Sequence, residues 1–465
     1  MPSSGVLRPR GLAALALAAF AVRAAYLLFG PACHTAGDEP SWIALGTQEL
    51  QPLSPLRNDL IFYPPVYPYF IALVWRAAGA LDTVLWAQAA IGALLAPAVA
   101  RVGARVFGAR SGMLAGALAA FYPELVWFAT RFWSETVFMV LLWWAIERTL
   151  AAGDVGANAM VGDRGAPARA LGSWRAAAAA GLLFGLAVLT RELALYLVPL
   201  ALVHLLRPEA NHARWRDWLR PRRTRLATAG ALALTTLLVI TPWTIRNALV
   251  FRAFIPVSTM GGLNLWQGNT TLTHLQIYEE LARIQGPVAQ DRYCREMAWA
   301  AIGARQPGWI LEKLAEQMPE FWKAGSEVLD HLVGREACGP LAVAALVPIE
   351  LLLVLPYLAL LPLAASGVAR LRWSAPLVLL VALVAAYNAA HVVAYATPRF
   401  RLPVMPALFL LAAAVVAGRR EGPLRPLRGW RAALFVALLA AAALVLAPGL
   451  EELASWRLLS GAAMP

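Results

Sequence analysis

The 465-residue sequence is poor in charge, in cysteine and above all in lysine. Charged residues make up 14% of it against 60% apolar ones, and mean hydropathy is +0.61. A soluble globule of that composition would need a mostly apolar surface, which soluble proteins avoid. Cys33, Cys294 and Cys338 form no CxxC and no metal-ligand spacing, which excludes a small disulfide scaffold. Absent too are GxxxxGK[ST], a dinucleotide fingerprint, HExxH and GxSxG, so ATP-driven and metalloprotease chemistry have no support. No heptad pattern and no internal repeat is present. What remains is an all-α polytopic membrane protein.

Crossing about 30 Å of hydrocarbon takes roughly 20 apolar residues, fewer where protein shields the helix. Eleven stretches qualify: 11–29, 84–102, 111–128, 133–151, 176–190, 192–206, 226–243, 340–364, 375–396, 402–418 and 431–449. The expected organisation is an N-terminal transmembrane module (1–243) with a first external loop (30–83), an external helical segment (244–339) and a C-terminal transmembrane module (340–465). Met1–Arg10 is basic and lacks a small-residue cleavage site after the apolar run, so it reads as a first anchor and not a removed signal.

Net charge is +13, and Lys313 and Lys323 are the only lysines, so arginine sets the topology. With the N-terminus cytoplasmic, the arginines at 8–10, 101–110, 148–175, 207–225, 370–372 and 419–431 all fall in short inner connections. The basic surplus is therefore topological, and nucleic acid is not implied. The outer face carries most of the non-membrane mass. Pro40–Leu50 and Tyr63–Gly79 read as interfacial helices, and Ile277–Ile302 and Trp309–Val328 as external ones. The setting this suggests is a bacterial inner membrane with the site on its periplasmic or extracellular side. Cys294 and Cys338 share the external segment and could pair.

A charge near the bilayer costs roughly 2.5–3.5 kcal/mol at a helix centre and needs a reason. Five groups at the outer ends of spans stand out. Asp38-Glu39-Pro40 follows span one; it is either a helix N-cap or a carboxylate placed to deprotonate a hydroxyl. Glu124 and the Arg131-to-Glu135 stretch join spans three and four, where Arg131 and Glu135 are spaced for one helix face and an ion pair. Thr190-Arg191-Glu192 separates two short apolar runs, and its charges either face a cavity or neutralise each other. Arg399 and Arg401 oppose the positive-inside trend, and the planar guanidinium fork suits phosphate. Just before them Asn388, His391 and Tyr395 are spaced along one face, for ligand contact or interhelical bonding. Finally Pro242 to Asn247, with Arg246, precedes a Gly-rich stretch in which Asn264, Gln267 and Asn269 alternate with Trp266, as sugar-binding surfaces do and as turn-rich loops also do. Asn269-Thr270-Thr271 also matches a glycosylation sequon.

The order of these marks resembles the polytopic family-C glycosyltransferases, specifically the protein O-mannosyltransferase-like branch and the bacterial lipid A aminoarabinose transferase. The matching residues are Asp38-Glu39, Tyr63-Pro64-Pro65-Val66-Tyr67-Pro68, Thr130-Arg131 with Ser134-Glu135, Leu189-Thr190-Arg191, Pro242 through Asn247, Gly268-Asn269 and Arg399 through Pro403. They run from about residue 10 to 415. The resemblance implies inverting transfer of a sugar from a polyprenyl-phosphate donor to an acceptor hydroxyl of a lipid, glycan or protein at the outer face. It makes Asp38 the general base and Glu39 its acidic neighbour. Arg399, Arg401, Arg246 and Arg191 are the candidates for the donor phosphate. Tyr63, Tyr67, Asn264, Gln267, Asn269, His391, Tyr395, Glu135 and Arg131 are the candidates for sugar or acceptor. No cofactor is required by the pattern, though Asp38, Glu124 and Glu135 could hold a divalent cation. The chain lacks the long C-terminal soluble domain of the aminoarabinose transferase. Two other classes fit the composition: a secondary transporter or lipid flippase, and a non-catalytic assembly factor.

Overall fold

The computed structural model describes residues 7–31, 37–49, 60–158, 166–207, 223–328, 343–417 and 424–459. Among them the chain is helical throughout, with no strand. Helix α1 (Pro9–Phe29) leads to α2 (Glu39–Ala44), which ends in a π-helical turn at Leu45–Glu49, and to α3 (Val66–Ala78). Then come α4 (Leu81–Ala93), α5 (Leu95–Val106), α6 (Ala109–Phe121), α7 (Pro123–Phe128), α8 (Glu135–Asn158) and α9 (Ala166–Val188). A 3-10 turn, Glu192–Leu197, opens α10 (Val198–Leu206), and α11 (Arg223–Phe251) follows. Four helices that are not candidate membrane spans succeed it: α12 (Met260–Gln267), α13 (His274–Leu281), α14 (Pro287–Ala304) and α15 (Trp309–Trp322). The chain closes with α16 (Val343–Arg370), α17 (Ala375–Val393), a 3-10 turn at Pro398–Val404 into α18 (Met405–Val416), and α19 (Trp430–Leu459).

Eight helical stretches are long and apolar enough to cross a membrane, and two more, Ser173–Val188 and Glu192–Leu206, are apolar but shorter. The chain is an integral membrane protein. Proline accounts for two departures from the expected spans. The third, 111–128, is broken: Tyr122 before Pro123 is extended (φ −63°, ψ 121°), and the helix restarts as the short α7. Pro97 removes an amide that would bond back to residue 93, and α4 gives way to α5 at Leu94. Helix α11 conversely runs on through residue 243, so the Pro242-to-Asn247 motif is helical and not the start of an external loop.

The centre of the bundle is α8 and the Pro398–Val416 stretch, most of whose residues are buried, while α19 lies at the periphery. Lipid tails are as apolar as leucine, so close packing holds such helices together more than apolar burial does. Small residues supply it where α5 meets α6: a Cβ on Gly103 would lie 2.7 Å from the Cα of Gly112. The indole of Trp143 on α8 donates to the Pro403 carbonyl at 2.9 Å, tying the central helix to the turn ahead of α18.

Helices α12, α13 and α14 have their own small core, Leu263, Trp266, Ile277, Leu281, Cys294 and Ala298. A capping box between Thr273 and Gln276 starts α13. The Cys294 thiol is buried in this layer, and burial first, then the nearby Asp291 charge, pushes its pKa up to about 11. Cys338 lies outside the described residues, as does Cys33.

Candidate functional site

Adjacent residues at the start of α2 have opposite surroundings. Asp38 occupies the N-cap position but makes no side-chain cap bond. Its carboxylate is 44% exposed and accepts from Arg399 Nη2 at 3.1 Å, across 361 residues of sequence. Glu39 is buried: its Oε1 accepts from the Phe132 amide at 2.8 Å, and its Oε2 pairs with Arg131. Arg131 precedes α8, so the expected helical Arg131–Glu135 pair does not form; Glu135 instead meets Arg191 at 2.7 Å.

Arg399 is placed by Pro398, which opens the 3-10 turn. Its guanidinium lies 4.2 Å from the Trp133 ring centre and 5.1 Å from that of Phe400, and Nη1 is 3.9 Å from Glu327 Oε1. Aromatic faces hold a cation in place while leaving its N–H edge free to turn to an anion. Its Nε has no hydrogen-bond partner among the described residues. Arg191, extended between α9 and the next turn, also bonds Ser134 Oγ at 3.2 Å and lies 5.5 Å from the Phe400 ring centre. Two guanidinium groups thus lie near one phenyl ring. Glu192 is bonded by Ser258 at 2.9 Å, so Arg191 and Glu192 do not neutralise each other.

His391 stacks on Phe400 at 4.5 Å and 22°. Its Nδ1 lies 3.0 Å from the Tyr395 carbonyl, which can only accept, so Nδ1 carries the proton and Nε2 is left as a buried acceptor without a partner among the described residues. Tyr395 lies past the end of α17, half-buried; burial raises its phenol pKa and the Arg399 charge opposes the rise. Tyr63 packs on Trp42 at 4.4 Å, and burial, then the Asp38 charge, raises its phenol pKa. Tyr278 on α13 is raised likewise, by burial and then Asp38, which puts α13 beside the same carboxylate.

Several sequence candidates are structural ties. Arg401 is buried and donates to the carbonyls of Lys323 (2.6 Å) and Gly325 (2.8 Å), with Glu124 at 3.5 Å and the Tyr357 ring centre at 4.1 Å. Arg246 is buried on α11, donating to the Leu60 carbonyl at 2.6 Å and to Asn247 at 2.9 Å. Both are buried and spend terminal N–H groups on protein acceptors, while Arg401 Nε has no acceptor among the described residues. Tyr67 is fully buried and donates to Gln88 at 2.7 Å. Asn269 bonds the carbonyls of Leu265 and Val393 through Nδ2 and accepts from Arg305 and Trp309 at Oδ1. Arg131 is engaged by Glu39. Asn264 and Gln267 sit half-buried on helix α12, not on an open loop. Among the described residues no group of three or more His, Cys, Asp or Glu could hold a metal ion; Asp38, Glu124 and Glu135 each face an arginine. Trp133, Phe400 and Glu327 were not singled out from the sequence: the two rings stood next to charged marks, and Glu327 carried no signal.

No known family pattern and no curated protein sequence matches the chain. Solved structures do. The oligosaccharyltransferase of Archaeoglobus fulgidus in its apo form is similar at a TM-score of 0.53 and 15% identity, over 93% of this chain and 54% of that one. The same protein, AglB, in complex with an inhibitory peptide and a dolichol-phosphate gives 0.52, again at 15%, 93% and 54%. The chain shares the fold of that archaeal membrane protein. A fainter likeness, TM-score 0.43 at 14% identity over 87% of this chain and 59% of the other, extends to ArnT from Cupriavidus metallidurans bound to undecaprenyl phosphate. The chain spans about half the length of the archaeal transferase it matches.

Proposed function

We propose that the chain is a glycosyltransferase moving a sugar from a polyprenyl-phosphate donor to a hydroxyl acceptor of a lipid, glycan or protein. The observation that carries this is the Arg399–Asp38 contact at 3.1 Å, which sets a solvent-facing carboxylate against a guanidinium held between aromatic rings. Asp38 accepts the proton of the acceptor hydroxyl as its oxygen bonds to the anomeric carbon from the face opposite the leaving group. The bond from that carbon to the phosphate oxygen breaks, the configuration inverts, and the electron pair leaves on the lipid phosphate. Arg399, with Arg191 near the same Phe400 ring, meets that charge among poorly solvated aromatic side chains. Protonated Asp38 then returns its proton to water.

Donor phosphate and Asp38 compete for one guanidinium. Phosphate binding draws Arg399 away from Asp38, so the base becomes available only when there is a sugar to transfer. His391 Nε2, buried and without a partner among the described residues, is a candidate acceptor for a sugar hydroxyl. The arginine distribution supports a cytoplasmic N-terminus and a site on the outer face of a bacterial plasma membrane, with the lipid tail between helices. With a radiolabelled polyprenyl-phosphate sugar and purified protein, Asp38→Asn abolishes transfer. Near-normal transfer by that variant removes the base assignment. Movement of the lipid across liposomes without any glycosidic bond formed would support a flippase.

A further inference from the structure

The four residues between α17 and the 3-10 turn, Ala394 to Thr397, aim Arg399 at the site and take little support from regular backbone pairing. Side chains supply the rest. The Val393 carbonyl accepts from Asn269 Nδ2 at 3.0 Å, and the Tyr395 carbonyl is met by His391. The Ala396 amide donates to Gln317 Oε1 on α15 at 2.9 Å. Gly268 presses on the same stretch: a Cβ there would lie 1.3 Å from the Ala394 carbonyl oxygen, so only glycine fits. Lys313, also on α15 and buried, donates to the Gly268 carbonyl. Three of these contacts come from the α12–α15 segment, and Asn269 is itself fixed to Arg305 and Trp309.

We infer that Gln317 is a positioning residue for Arg399, the member of a grip by α12 and α15 that sets where the guanidinium meets a lipid phosphate. The inference rests on the donor reading above. Gln317 is half-buried and touches no reacting group; it acts three residues upstream of Arg399, through the Ala396 amide that Pro398 cannot replace as a donor. Without that acceptor the turn loses the bond fixing its middle, and the guanidinium loses its preset direction.

Binding of a polyprenyl phosphate to purified protein in detergent tests this, with melting temperature measured on the same samples. Gln317→Met keeps the length and removes the acceptor; it should weaken binding about fivefold with an unchanged melting temperature. Gln317→Glu still accepts from Ala396 and should restore most of the affinity. Wild-type affinity in Gln317→Met, while Arg399→Ala has lost it, overturns the inference. So does a loss in Gln317→Met that is matched by a lowered melting temperature and not rescued by Gln317→Glu. Normal binding by Arg399→Ala instead overturns the donor reading, and the inference with it.

Discussion

The two ends of the bundle carry charge in opposite arrangements. Where α5 meets α8, one carboxylate lies inside and arginines lie outside: Glu147 is fully buried, bonded by Arg101 at 3.0 Å and Arg105 at 3.2 Å and paired with Arg148, all three about a third exposed. At the Asp38 end the order is reversed: the guanidinium of Arg399 is 16% exposed and the carboxylate opposite it is 44% exposed. The first arrangement is a knot that closes on itself and ties two helices. The second holds a little-exposed cation opposite a half-exposed anion, an arrangement that leaves the carboxylate open to solvent where a tie would enclose it. Asp38 and Glu39 repeat the contrast within one dipeptide, since Glu39 has its own closed pair.

That contrast can be broken by removing one carboxylate at a time and measuring thermal or denaturant stability in detergent. Glu39→Ala should cost most, about 3–5 kcal/mol, because Arg131, 10% exposed, would lose its buried carboxylate partner and the Phe132 amide would lose its acceptor. Glu147→Leu should cost less, about 2 kcal/mol, because its arginines can turn to water and Arg105 keeps Asp154 at 3.0 Å. If the order is reversed, the Glu147 knot is the more desolvated of the two and the comparison fails.

Much of the architecture was legible because hydropathy over 20 residues reports burial in lipid directly. The breaks were less so: Pro123 ends α6 at Tyr122, whereas Pro242 is absorbed within α11, and nothing local to either proline distinguishes them. At the site, residue type and position brought forward Asp38 and Arg399, whose meeting across 361 residues no spacing could reveal. The same reasoning could not tell Arg399 from Arg401, because two residues along a turn change only the direction of the side chain. One faces Asp38; the other is spent on the Lys323 and Gly325 carbonyls. Asn269 looked like a sugar ligand for a related reason. An amide among tryptophans is as suited to fixing backbone as to holding a hydroxyl, and here it fixes Val393.

Affinity for a polyprenyl phosphate, compared between Arg399→Ala and Asp38→Asn, decides whether the two residues share one anionic headgroup. Arg399→Ala should bind at least tenfold more weakly, since a charge-assisted contact contributes about 1.5–3 kcal/mol. Asp38→Asn should bind at least as tightly as the wild type, because the neutral amide no longer competes for the guanidinium. Equal affinity in Arg399→Ala and wild type, or a loss in Asp38→Asn as large as in Arg399→Ala, would contradict the account.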